Sequence, residues 1–249
     1  MAITIKSERD IILMRKAGEI TARVLAQLVE AVRPGLKTKE LDVIAEREIR
    51  LLGGIPSFKG YHGYPASVCI SINDEIVHGI PGERVIQSGD VVSLDLGAIY
   101  QGFQGDAART VGVGSVSLKA ESLIQATQGA LQAGIQMVRA GNHLGDISAA
   151  VQRYTESKGF AVVREYTGHG IGREMHEEPL IPNFGSPGTG PLLKKGMTLA
   201  IEPMLNAGDW RTRVGSNKWT VSTIDGSLSA HFENTVLITN GDPEILTVV

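Results

Sequence analysis

The sequence predicts a mixed α/β fold in which one domain is assembled from two related halves, about residues 1–115 and 116–249. Three observations carry that prediction. Helical and strand-like runs alternate in two similar rounds, and two segments recur at nearly the same offset. In addition, no Pro/Ser/Gly-rich or charged linker separates the halves around residues 110–120. With 249 residues, 42% hydrophobic and 20% charged, the chain can bury a sizeable core.

The first helix opens at Ser7, where Asp10 three residues on completes a capping-box pattern. Leu13, Ala17, Ile20, Val24 and Leu28 then follow at helical spacing, and Arg33-Pro34-Gly35 ends the run. A second helix spans about residues 38–52, with Leu41, Ile44, Ala45, Ile49 and Leu52 on one face. Strand-like runs come at 67–72 and 91–98, then helices at 119–139 and 145–158. Further strands are predicted at 161–165, 197–201 and 233–239.

The repeat is visible when the chain is shifted against itself. At an offset of 106, Val32-Arg33-Pro34-Gly35 meets Val138-Arg139-Ala140-Gly141, with 5 identities across the 23 positions from 32 to 54. At an offset of 107, Gly89-Asp90-Val91-Val92-Ser93-Leu94-Asp95 meets Gly196-Met197-Thr198-Leu199-Ala200-Ile201-Glu202. Each of these is a glycine-led apolar strand that ends in a carboxylate.

Composition excludes several classes of function. A net charge of −3, with Lys194-Lys195 as the longest basic run, gives no electrostatic support for nucleic-acid binding. One cysteine, Cys69, rules out an intrachain disulfide and fits a reducing, cytoplasmic setting. Charges throughout the first twenty residues argue against a signal peptide, and no eighteen apolar residues run together to form a membrane span.

The chemistry begins with acids in apolar surroundings. Asp95, Glu202 and Glu233 all interrupt strand-like runs, and Asp106 lies a hairpin's distance from Asp95 beyond Gln101-Gly102. Carboxylates in buried strands are costly unless paired or bound to metal. No comparable set of arginines sits in apolar strands, so bound cations are the simpler counter-charge. His169 is bracketed by Gly168, Gly170 and Gly172, which are expected to let the backbone bend closely around its ring. His78 and His176 are expected in matching loops ahead of the two repeated strands, sharing one cleft. Four carboxylates and one histidine suit two divalent ions about 3.5–4 Å apart. EF-hand spacing, a His-Glu-x-x-His helix and a Gly-x-Ser-x-Gly elbow are all lacking.

In this order and at these spacings, Asp95, Asp106, His169, Glu202 and Glu233, with His78 and His176, resemble the methionine aminopeptidases. The likeness extends through Gly60-Tyr61-His62-Gly63-Tyr64-Pro65 and Ser67-Val68-Cys69-Ile70-Ser71-Ile72-Asn73 and covers essentially the whole chain. It implies the pita-bread (creatinase/aminopeptidase) fold, two pseudo-symmetric halves around a curved antiparallel sheet, in one catalytic peptidase domain. The 26 residues from His176 to Glu202, and no zinc-binding extension ahead of the first helix, resemble the compact bacterial type I enzymes.

The resemblance implies that a dinuclear metal aminopeptidase removes the initiator methionine of nascent chains when the second residue is small. Asp95 is then expected to chelate one ion, Asp106 and Glu233 to bridge both, and His169 with Glu202 to complete the other. The ions are cobalt, manganese, iron or zinc. Glu202 becomes the candidate proton shuttle, His176 the group that polarises the scissile carbonyl, and His78 the holder of the substrate amide. Tyr61, Tyr64, Cys69, Tyr166, Met175 and Trp219 are expected to form the methionine pocket. Transient contact with the ribosome, a monomeric state, and no membrane or specific nucleic-acid partner follow from the same resemblance.

Four positions depart from the family pattern: His231 stands for a common glutamine, Asn234 for a frequent histidine, Met175 for an aromatic and Thr167 for a cysteine. The alternatives are an X-Pro peptidase of the same fold, normally carrying an extra N-terminal domain, and a non-catalytic binding protein on that fold.

Overall fold

The computed structural model describes residues 2–249. Helix α1 (Glu8–Ala31) starts where its cap predicts: the Asp10 N–H donates to Ser7 Oγ, and the Ser7 N–H donates to the Asp10 carboxylate. Helices α2 (Thr38–Leu51), α3 (Leu118–Gln136) and α4 (Leu144–Ser157) follow. Both α2 and α4 have 14 residues, and their starts lie 144 − 38 = 106 positions apart, the offset of the repeat. The turns ahead of them match as well. Gly35 and Gly141 hold φ of 90° and 96°, and their N–H groups donate to Ile86 O and Leu193 O.

The first half supplies strands β1 (Ile55–Pro56), β2 (Cys69–Ile72), β3 (Glu75–Val77), β4 (Val91–Tyr100) and β5 (Phe103–Gly112). The second supplies β6 (Ala161–Val162), β7 (Thr167–Gly170), β8 (Glu177–Pro182), β9 (Thr198–Ile201) and β10 (Met204–Asn206). It ends with β11 (Thr212–Val214), β12 (Val221–Thr223), β13 (Ser229–His231), β14 (Glu233–Leu237) and β15 (Glu244–Ile245). Among the described residues the main sheet has nine strands in the order β1-β4-β5-β14-β9-β7-β8, with β2 also on β4 and β15 also on β14. Every pairing in it is antiparallel. The long β4–β5 hairpin turns at Gln101-Gly102, both at positive φ, as a tight two-residue turn requires.

Four of the predicted strands are shorter than expected: 67–72 begins only at Cys69, 161–165 shrinks to Ala161–Val162, 197–201 begins at Thr198, and 233–239 ends at Leu237. Patterning also missed β1, β3, β7, β8, β10–β13 and β15, each two to six residues long and too short for alternation to register. The ten-residue β5 was foreseen only as the far arm of the Asp95–Asp106 hairpin, because both of its faces are buried and no alternation shows.

The helices cover one face of the sheet. Leu28, Leu41 and Ile49 pack with Leu94 and Leu96 in the first half. Leu131 and Ile147 pack with Leu199, Ile201 and Val236 in the second. At Gly105 an added Cβ would stand 2.7 Å from Gly18 N, so α1 rests on β5 backbone to backbone. The opposite face of the sheet holds the site. Among the described residues no helix is long and apolar enough to cross a membrane.

Candidate active site

Strand register gathers the five expected metal-binding side chains. Asp95 on β4 and Glu233 on β14 both pair with Ala108 on β5, so the three residues form one row across the sheet. Asp106 is two residues along β5 and therefore points to the same face. Glu202 follows Ile201, the partner of Asn234, which places it beside Glu233. His169 pairs with Ala200, two residues before Glu202, and again shares the face. Ligand-bearing atoms of Asp106, His169 and Glu233 lie within 4.8 Å of one another, and His169 Nε2 is 3.4 Å from Glu202 Oε1. The seam between β5 and β14 joins the two halves, and each half contributes acids on either side of it.

Electrostatics say what this row lacks. Burial pushes the Asp95 carboxyl up to about 7. Asp106 and Glu233 are pushed well above the carboxylate range, first by burial, then by Glu233 and Asp95 for Asp106 and by Glu202 and Asp95 for Glu233. Burial does the same to Glu202, reinforced by Asp106 and Asp95. Asp95 Oδ1, Asp106 Oδ1 and Glu233 Oε1 are buried with no hydrogen-bond partner. Sequence reasoning found no arginine set nearby, yet the structure places Arg109 beside Glu233. Its guanidinium donates to the carbonyl oxygens of Ala108 and Glu233, both at 2.8 Å, and leaves the carboxylates unsatisfied. An oxygen-rich group with one imidazole, orphaned oxygens and excess negative charge fits divalent metal.

The glycines around His169 work differently from expectation. None of Gly168, Gly170 and Gly172 has positive φ. An added Cβ on Gly168 would lie 2.4 Å from Ala200 O, and one on Gly170 2.2 Å from Glu178 O. Close approach of neighbouring strands, rather than a bend, demands glycine there. His169 Nδ1 sits 2.9 Å from Gly170 O, which turns Nε2 toward the acids, and burial with the nearby His176 keeps the ring neutral, its pKa down to about 3. Gly170→Ala is expected to lower stability by about 1–3 kcal/mol in thermal or denaturant unfolding, the range for overpacking.

His78 and His176 do not occupy matching loops. His78 immediately follows β3 at a left-handed φ of 60°, whereas His176 immediately precedes β8. Both nevertheless line the same cleft, whose volume is about 190 Å³ and whose floor is the row of acids. His176 stacks near His169 with ring centres 4.3 Å apart, and its Nδ1 lies 2.8 Å from the Tyr61 hydroxyl. Burial holds His78 near a pKa of about 4 and lowers that of His176, so both rings are neutral at pH 7.

Of the expected pocket residues, Tyr61, Tyr64, Cys69, Met175 and Trp219 line the cleft. Cys69 pairs with Asp95, which points it inward, and burial with that acid raises its thiol pKa well above normal. Tyr166 does not line it. It packs edge-on behind His78, 5.8 Å between ring centres, against Val163 and Met204. Phe58 and His62 line the cleft and were not predicted. His62 lies within the Gly60–Pro65 motif, but nothing in its neighbours gives its direction. Asn234 points away from the acids and donates to Thr247 Oγ1 at 2.8 Å. His231 was flagged only as a departure, yet its Nε2 stands 3.9 Å from both Glu202 Oε2 and Glu233 Oε2.

Residues 12–240 match metallopeptidase family M24. A methionine aminopeptidase of Clostridium perfringens is 53% identical over 247 residues, covering 99% of both chains. The crystal structure of a methionine aminopeptidase from Thermotoga maritima superposes with a TM-score of 0.98 at 46% identity, over 100% of each chain. An Xaa-Pro dipeptidase of Bacillus anthracis is more distant: TM-score 0.78 and 26% identity, over 98% of this chain but 61% of that one. With relatives matching along its whole length and the acids assembled on one face of the sheet, the chain belongs to metallopeptidase family M24, within its methionine aminopeptidases.

Proposed function

We propose that this protein removes N-terminal methionine from nascent polypeptides whose second residue is small. The observation that carries the reading is the single row of Asp95, Asp106, Glu202 and Glu233 with His169, flooring a cleft lined by His78 and His176. Two divalent ions, of cobalt, manganese, iron or zinc, would be held there. Asp95 would serve one ion, His169 and Glu202 the other, and Asp106 and Glu233 both. When bound, such ions lower the pKa of a shared water and polarise a carbonyl.

The protein's own groups do the rest. Glu202, beside Glu233 at the end of β9, would accept the proton of the attacking water on a carboxylate oxygen. Neutral His176 donates Nε2–H to the scissile carbonyl oxygen, a tautomer the Tyr61 hydroxyl holds by donating to Nδ1. His78, also neutral, donates an N–H to the substrate amide. At about 190 Å³ the cleft is smaller than the roughly 300–1,000 Å³ of drug-sized pockets, so it takes one side chain. Tyr64, Cys69 and Trp219 supply its apolar wall, and the acids close its end, which suits a substrate that terminates there. The same reading has the protein act in the cytoplasm in transient contact with ribosomes, and its resemblance to the family implies a monomer.

The test is release of methionine from Met-Ala-Ser by Mn²⁺- or Co²⁺-loaded protein, abolished by chelator and restored by metal. Turnover of an X-Pro dipeptide in preference to Met-Ala-Ser would favour the alternative peptidase. Metal-independent ribosome or RNA binding without turnover would favour a scaffold.

A further inference from the structure

We propose that His231 is a sixth ligating side chain of the metal centre, giving the ion near Glu202 a second imidazole. The proposal rests on the reading of the five other residues as metal ligands.

The side chain is 2% exposed, and neither of its nitrogens has a hydrogen-bond partner among the described residues. Buried polar nitrogens without partners are rare and costly. Nε2 stands 3.9 Å from Glu202 Oε2 and 3.9 Å from Glu233 Oε2. That is too long for a hydrogen bond. It fits two donors on one cation, since atoms each about 2.1 Å from a shared ion lie at most about 4.2 Å apart.

Glu202 therefore has an imidazole facing each oxygen, His169 at Oε1 and His231 at Oε2. The backbone fixes the aim of the second ring. The His231 N–H donates to Thr110 Oγ1 at 2.9 Å, and that hydroxyl donates back to the His231 carbonyl at 2.7 Å. Pairing of His231 with Met204 at the end of β13 holds the other side. The ring is thus delivered to the acids by strand geometry rather than by a flexible loop. A second nitrogen moves the donor set toward ions that favour imidazole, so zinc and cobalt gain relative to manganese.

The experiment uses full-length protein carrying ¹⁵N-labelled histidine, titrated with Zn²⁺ alone and followed by NMR of the ring nitrogens. Of the 6 histidines, two are expected to show a coordination shift, His169 and His231. Loss of one shifted signal in His231→Gln, or in His231→Asn if the first does not fold, assigns it. The same variants are expected to weaken Zn²⁺ binding in calorimetry at least about tenfold, and Mn²⁺ binding less. A single shifted histidine in the wild type, or two that do not include His231, overturns the proposal and leaves the five-ligand reading standing. No shifted histidine at all overturns both.

Discussion

Asp106→Asn is expected to lower turnover of Met-Ala-Ser by at least about 10³-fold, because several kcal/mol of charge stabilisation depend on metal in this site. Metal content after dialysis is expected to fall with it. The same change is expected to stabilise the metal-free protein. Asp106 sits among Asp95, Glu202 and Glu233, all held above the ordinary carboxylate range. An acid whose folded pKa is raised holds its proton in the native state while the unfolded chain has shed it. Native protein then binds more protons, so stability falls as pH rises. The window opens near the unfolded value of about 4 and extends to the folded value, about 7 for Asp95. Chelated wild-type protein should therefore lose thermal stability between those limits, and Asp106→Asn should lose less. With metal present the trend reverses, because ligands bind cations only when deprotonated. Equal activity in the variant, or a metal-free stability that rises with pH, would contradict the assignment.

His176→Ala is expected to lower kcat by about 10²–10³ while metal content stays unchanged, the scale for one group stabilising developing charge. The ring is neutral and touches Tyr61 rather than the acids. Removing it therefore takes away a donor and leaves the ion-binding row intact. Tyr61→Phe should reproduce about a fivefold part of the loss, since one hydrogen bond that fixes a tautomer is worth about 1 kcal/mol. A kcat equal to wild type for His176→Ala would sink the role given to it, and a loss of metal would show that it acts through the centre instead.

Much of this site was legible in the sequence because its cost was legible. A carboxylate such as Asp95 between Leu94 and Leu96 announces an unpaid desolvation, and four of them announce a common solution. The repeat was legible because α2 and α4 keep the same length and the same left-handed glycine turns. What failed was direction and contact. Gly168 and Gly170 looked like bends, but their role is set by Ala200 and Glu178 on strands distant in sequence. Tyr166 looked like pocket wall and packs behind His78 instead. His231 could not be placed, because only the pairing of β13 with β10 turns its ring toward Glu202.

The seam between β5 and β14 also has a kinetic meaning. It joins Asp106 to Thr235, whose Oγ1 accepts the Asp106 N–H and donates to its carbonyl, groups 129 positions apart. Closing so long a loop is slow relative to forming the local hairpin of β4 and β5. Neither half can hold the full row of acids, so metal capture waits for this long-range pairing. The chain's affinity for its ions is then also a measure of how completely it has folded.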